Sequence, residues 1–277
     1  MVPRFEDAFR QTETWPVPAV AAGVIDQSGA QHVHGPADAV FALASITKPL
    51  VAYAVLIAIE EGSLSLETPA DQAGELPGVT VRHLLAHAGG VGPDQPALVA
   101  APGTRRMYSN AGFDVLGDLL AAATGFTVAE YLREAVALPL NMTHTELQGS
   151  PAHAAVSSVH DLLQFAEELL RPTLISSATL AAATTPQFAD LDGVLPGYGR
   201  QEPNPWGLGF EIRGHKTPHW TAPSNDPRTF GHFGRAGTML WVDPVASMAS
   251  VALTNRDFGP WASEAWPPFS QAILVAT

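Results

Sequence analysis

Cysteine is absent from this 277-residue chain, and lysine occurs at two positions only, Lys48 and Lys216. Without cysteine there is no disulfide, no thiol nucleophile and no cysteine-ligated metal, a condition compatible with any redox compartment. Charge is also thin: 15% of residues are charged against 46% hydrophobic, which excludes a disordered polyelectrolyte and allows a full core in one or two domains. Positive charge is the scarcer sign. The net charge of −13, with arginines scattered rather than clustered, argues against nucleic acid as a partner. Long apolar runs are missing too. Leu50 to Ile59 is too short to cross a bilayer, and Met1 to Asp7 lacks the basic-then-apolar order of a secretory leader, so a cytoplasmic protein is expected.

What is present has a clear order. Val17 to His34 predicts a hairpin around Asp26-Gln27-Ser28-Gly29. Ser45 to Glu61 predicts a buried helix closed by Gly62, and Thr80 to His87 a short helix stopped by Gly89-Gly90. Four further helices are predicted over 111–124, 127–136, 159–170 and 176–184. Strand character returns with Trp206 to Ile212, then with a hairpin from Thr238 to Val242 and Ser247 to Thr254, before a terminal helix over 261–276. Strands at both ends with helices between them predict an α+β fold. One antiparallel sheet is built from both termini (1–44 with 200–277), flanked by helices, and a helical lobe (45–199) is inserted between its halves.

Lys48 stands three positions after Ser45 at the head of the apolar run. On a helix, residues i and i+3 share a face, so the hydroxyl and the amine are placed to hydrogen-bond. No acid lies between Lys48 and Glu60, so burial would disfavour the ammonium and turn the lysine towards a base. Pro49 is tolerated only in the first turn, which sets the helix start near Ser45. A helix start offers free N–H groups to a developing oxyanion. Ser-x-x-Lys is also an ordinary helix-capping pattern, and both readings stand at this point.

Two later segments carry compatible chemistry. In Tyr108-Ser109-Asn110 a phenol relays a proton if a nearby cation lowers its pKa, and an amide can hold both a lysine and a substrate carbonyl. The same three residues also read as a cap for the helix that follows. Gly231 to Thr238 includes His232, Gly234, Arg235 and Gly237 just ahead of a strand, where glycines let a substrate approach a strand edge; a plain glycine-rich turn is the alternative.

Together these segments resemble the penicillin-binding and class C β-lactamase-like serine hydrolases, a family that includes β-lactamases, D,D-peptidases, D-amino-acid peptidases and carboxylesterases. The likeness runs from about Val17 to Arg256. It takes in Ala44-Ser45-Ile46-Thr47-Lys48, His83 to Gly90, Pro102-Gly103, Tyr108-Ser109-Asn110, Ser158 to Leu162, Trp206 to Gly209, the His232 segment, Trp241 to Pro244 and Leu253 to Arg256. The resemblance implies a β-lactamase/transpeptidase-like fold and an acyl-enzyme on Ser45, with Lys48 as base or orienting partner and Tyr108 as proton relay. It likewise implies Asn110 as a substrate-positioning amide, His232 in place of the lysine of the family's Lys-Thr-Gly motif, and an oxyanion hole from the Ser45 and Arg235 N–H groups. No metal or cofactor is implied, and the partner is a small acyl substrate; oligomeric state is not addressed.

Two departures from the family pattern shape the expectation. His232 replaces a fixed charge with an imidazole expected to titrate near neutrality, which weakens carboxylate binding and favours esters or neutral amides over β-lactams. Arg235 stands close by as a second cation. The chain is also short, so specificity loops are expected to be trimmed. Enzymes of the β-lactamase or D,D-peptidase type, and a sensor acylated without turnover, are the alternatives. Lys216-Thr217-Pro218 imitates Lys-Thr-Gly more literally but is set aside, because proline neither donates to a ladder nor gives glycine's clearance. His83 and His87 have the spacing of a zinc pair, without the glutamate of a His-Glu-x-x-His site or a third ligand, and are read as structural.

Overall fold

The computed structural model describes residues 5–71 and 75–276. Strands β1 (Val20–Ile25) and β2 (Gln31–His34) form the predicted hairpin, closed by Asp26, whose carboxylate accepts from the N–H groups of Ser28 and Ala30. Short strands β3 (Phe41–Ala42), β4 (Glu146–Leu147) and β5 (Ala155–Ser157) make a small separate sheet, and β6 (Gly193–Leu195) with β7 (Gly199–Gln201) a second hairpin. Then come β8 (Glu211–Ile212), β9 (Phe230–Gly234), β10 (Thr238–Asp243) and β11 (Met248–Thr254). The main sheet runs β2-β1-β11-β10-β9-β8, so the first and last strands of the chain, β1 and β11, pair inside it, with Val20 opposite Thr254. An antiparallel sheet from both termini, flanked by helices, is the fold the sequence implied.

Both faces of that sheet are covered, and the residues divide accordingly. Ala21 and Ile25 of β1, with Leu240 and Val242 of β10, face one apolar cluster, while Ala22, Val24, Met239 and Trp241 face the other. Period-two alternation is thus hidden in the sequence, because each face is apolar. The second face is closed by helices α1 (Glu6–Thr12) and α8 (Pro260–Val275). The first receives α2 (Thr47–Glu60), α3 (Val81–Leu85), α4 (Asn110–Thr124), α5 (Val128–Leu132, continuing as a π-turn to Ala137), α6 (Val159–Leu170) and α7 (Ser177–Ala183). Of these, α6 lies directly on β1, β10 and β11.

One expectation is corrected. Trp206 to Ile212 is not a strand throughout: only Glu211–Ile212 joins the sheet, and Trp206 bridges back to Glu211 across a turn closed by Gly207 N–H donating to Phe210 O. Gly209 sits at φ +89° with its Cα face against α2, where a Cβ would stand 2.0 Å from that of Ala52, so the chain must fold back there. No single helix among the described residues is long and apolar enough to cross a membrane.

Candidate active site

The start of α2 is built as a strained elbow. Ala44 takes φ +47°, an uncommon conformation for a non-glycine residue, and a 3₁₀ turn over Ala44–Ile46 then feeds the helix, with Pro49 in its first turn. The elbow is clamped from three sides. Leu43 O accepts from Thr238 Oγ1 at 2.8 Å, Leu43 N–H donates to Ala155 O at 2.9 Å, and Thr47 Oγ1 donates to Ala44 O at 2.7 Å. Strand β9 presses so closely that a Cβ on Gly234 would come within 2.3 Å of Leu43 O. A glycine is therefore required at 234, and the elbow pushes Ser45 into a cavity of about 550 Å³ between the sheet and the helices.

Tyr108 enters that cavity from the other side. Its hydroxyl donates to Ser45 Oγ at 2.7 Å. The residue after it explains the placement: Ser109 caps α4 by accepting from Gly112 N–H at 2.8 Å while its own hydroxyl donates to Gly92 O at 2.6 Å. Capping and site geometry are thus the same feature, because a capped α4 fixes Tyr108 just before the helix and Asn110 as its first residue. Burial pushes the Tyr108 phenol well above the ordinary phenol range, only partly offset by the bond to Ser45. That corrects the expectation of a cation-lowered phenol: Tyr108 is a neutral O–H donor.

Lys48 is fully buried, and its amine bonds to Asn110 Oδ1 at 2.8 Å and Ala152 O at 2.9 Å, with the Tyr108 ring centroid 4.5 Å away. The hydrogen bonds of Lys48 therefore run to α4 and the 150–153 turn, whereas Ser45, lying in the 3₁₀ turn ahead of the helix proper, bonds to Tyr108. This differs from the direct pairing expected of i and i+3 on one helix. Burial lowers the amine to about 7, with Asp114 pulling the other way. A neutral amine has two N–H donors and one lone pair; Asn110 and Ala152 take the donors and leave the lone pair free for a proton.

His232 lies on β9 and lines the same cavity. Its Nδ1 donates to Phe233 O at 2.6 Å, which leaves Nε2 as the acceptor nitrogen, buried without a protein partner. Burial first, then the nearby Lys48 charge, drives this imidazole down to about 3, so it is neutral across the physiological range rather than titrating within it as expected. Arg235 stands at the cavity rim with its guanidinium exposed and 3.6 Å from Asp257. Ser45, Lys48, Tyr108, Asn110, His232, Gly234 and Arg235 therefore converge on one place.

The residues set aside fall elsewhere. Lys216 is buried against the Glu211 carboxylate and also donates to Pro205 O and Ile212 O. Helix α3 ends at Leu85 and His87 turns left-handed at φ +52°, so His83 and His87 do not share a helix face. His83 pairs with Thr80 at 2.9 Å, and His87 accepts from Ser109 N–H at 3.2 Å. Sequence reasoning missed Glu211 and His153, both lining the cavity, and the Ala152 carbonyl. A backbone acceptor leaves no mark in a sequence; Glu211 left one, as the lone acid of the Trp206 to Ile212 segment.

Residues 15–273 match the sequence model of the Beta-lactamase family. The chain belongs to that family. Among solved structures, a β-lactamase of Mycobacterium bovis is 53% identical, with a TM-score of 0.94, over 97% of this chain and 98% of that one. Esterase EstB of Burkholderia gladioli is 32% identical over 38% of this chain and 38% of EstB. A penicillin-binding protein of Bacillus subtilis is 27% identical over 45% of this chain and 36% of its own length. The chain spans less than half the length of the first curated relatives it matches.

Proposed function

We propose that this family member is a serine hydrolase that forms an acyl-enzyme on Ser45 and hydrolyses a small ester, amide or lactam, with neutral esters favoured. The observation that carries it is the Tyr108 hydroxyl at 2.7 Å from Ser45 Oγ beside a buried lysine whose amine is lowered to about 7. Ser45 attacks the acyl carbon and gives up its proton to the Lys48 lone pair, directly or through the Tyr108 hydroxyl. The Ser45 and Arg235 N–H groups receive the oxyanion. As the bond to the leaving group breaks, the leaving oxygen takes a proton from Tyr108, which is refilled from the Lys48 ammonium. Water then repeats the sequence on the acyl-enzyme, and Ser45 departs with its proton. No metal or cofactor enters these steps, and the partner is the small acyl substrate alone.

Neutral substrates are favoured because the position that would grip a carboxylate holds a neutral imidazole. The sheet formed by both termini serves as the scaffold and the 45–199 segment as the lobe that supplies Ser45, Lys48, Tyr108 and Asn110. Lactam hydrolysis is the second reading, favoured by the 53% identity to the Mycobacterium bovis β-lactamase and by Arg235 at the rim. A p-nitrophenyl acyl ester and a chromogenic cephalosporin, assayed in parallel with wild type and Ser45→Ala, test both. Ester turnover that exceeds cephalosporin turnover and vanishes in Ser45→Ala supports the first. Ester hydrolysis that survives the substitution removes it.

A further inference from the structure

Lys48 is held from two sides, and both holds lead back to α4. Asn110 accepts from the amine directly, at 2.8 Å. The second acceptor, Ala152 O, belongs to a turn that has its own anchor: Ser150 Oγ donates to Asp114 Oδ1 at 2.5 Å and accepts from Ala152 N–H at 3.1 Å. Asp114 follows Asn110 by four residues, so the two side chains rise from one face of the helix. The peptide group of Ala152 is thus gripped at its N–H side by Ser150 and presents its carbonyl to Lys48.

We propose that Asp114 is a positioning residue for the Lys48 amine, acting through Ser150 to fix the Ala152 carbonyl that holds Nζ. The proposal rests on Lys48 being the base of the reaction. A neutral amine presents its lone pair in the one direction that its two donors leave open, so the Asn110 and Ala152 acceptors together aim it. Without Asp114 the Ser150 hydroxyl loses its acceptor, the 150–153 turn is released, and one of the two aiming bonds slackens. The carboxylate contributes by charge as well, since it opposes the effect of burial on the amine. Other ionisable groups facing Lys48 do not duplicate this. Tyr108 is held neutral by burial, as are His87 from the turn after α3 and His232 from β9.

Because the chain has two lysines, isotope-labelled lysine gives two side-chain NMR signals, assigned by comparison with Lys48→Met. The Lys216 signal, from a buried ion pair, reports that each variant is folded. Asp114→Asn is expected to move the Lys48 titration midpoint down by about half a pH unit. Ser150→Ala should move it in the same direction, and the double variant by less than the two shifts combined, since both act through one chain of bonds. Asp114→Glu restores the wild-type midpoint. On a neutral ester, Asp114→Asn should lower kcat several-fold with KM unchanged. An unmoved midpoint in Asp114→Asn, or fully additive shifts in the double variant, overturns the proposal. The titration needs no turnover, so loss of the hydrolase reading alone would show as an ester left intact by a wild type whose Lys48 still responds to Asp114.

Discussion

The Tyr108 hydroxyl donates to Ser45 Oγ at 2.7 Å, while its ring packs 4.7 Å from His87 and 5.9 Å from Trp206, centroid to centroid. The hydroxyl and the ring can therefore be separated by substitution. Tyr108→Phe keeps the packing and removes the proton donor. Loss of a positioned acid or base costs about 10²–10⁴ in rate, so kcat on a neutral ester should fall by about that factor with KM nearly unchanged. Steady-state kinetics at saturating ester measures it; a Tyr108→Phe enzyme with wild-type kcat would remove Tyr108 from the reaction.

The Lys48 amine, lowered by burial to about 7, works as a base only when neutral. With Lys48 as the proposed base, activity should therefore be present above that value and lost as pH falls through it. The pH profile of kcat/KM on a neutral ester should show an acid limb near pH 7, and because that parameter reports the free enzyme, the limb belongs to the empty site. His232, held at about 3, should add no inflection between pH 5 and 8, so His232→Gln keeps the same limb. A limb that moves in His232→Gln would show that the imidazole titrates after all.

A buried base exacts a cost in stability, and its sign follows from the same shift. The folded value of about 7 lies below the ordinary 10.5, so below pH 7 the lysine is charged in both states and the fold bears the full penalty of burying it. Between the two values the folded protein has shed a proton that the unfolded chain keeps, and stability rises with pH. Lys48→Met should thus be inactive yet melt a few degrees higher than wild type at pH 6, with the gap narrowing towards pH 9. Thermal melts of the pair across that range test it. A destabilised Lys48→Met at pH 6 would mean that the bonds to Asn110 and Ala152 outweigh desolvation.

How much of this was legible beforehand differs by residue. The hairpin at Asp26 leaves a turn signal, the run after Ser45 an apolar one, and strand-like segments at both ends of the chain bracket the helices, so the fold could be read. Helix α1 and strands β3 to β7 are too short to stand out; β3 depends on pairing with the distant β5, and β6 and β7 form a hairpin too short to leave a period-two signal. Within the site, Ser45, Lys48, Tyr108 and Asn110 were visible as motif positions, and Asn110 as a possible partner of the lysine, but the second partner of the Lys48 amine was not, because Ala152 contributes a carbonyl that any residue carries. The charge state of His232 was misread for a related reason. A histidine in a sequence has its ordinary pKa; only the depth of burial beside Lys48 makes it neutral.

Glu211 lines the cavity that holds Ser45, yet its carboxylate is spoken for: it pairs with Lys216 and accepts from Trp220 Nε1 at 3.0 Å, with His219 Nε2 at 3.1 Å. All are buried, and the neighbouring cation holds the carboxyl well below the usual range despite desolvation. Removing one partner of such a pair strands the other charge, at about 3–5 kcal/mol. Lys216→Met and Glu211→Gln should each be strongly destabilised in denaturant unfolding, whereas the double variant should recover much of the loss. A pH signature separates this from simple cavity formation. Once Lys216 is gone, the largest influence opposing burial is lost and the Glu211 pKa rises, so the Lys216→Met deficit should shrink as pH falls and the carboxyl takes up a proton. A deficit that stays constant with pH would assign the loss to packing instead of stranded charge.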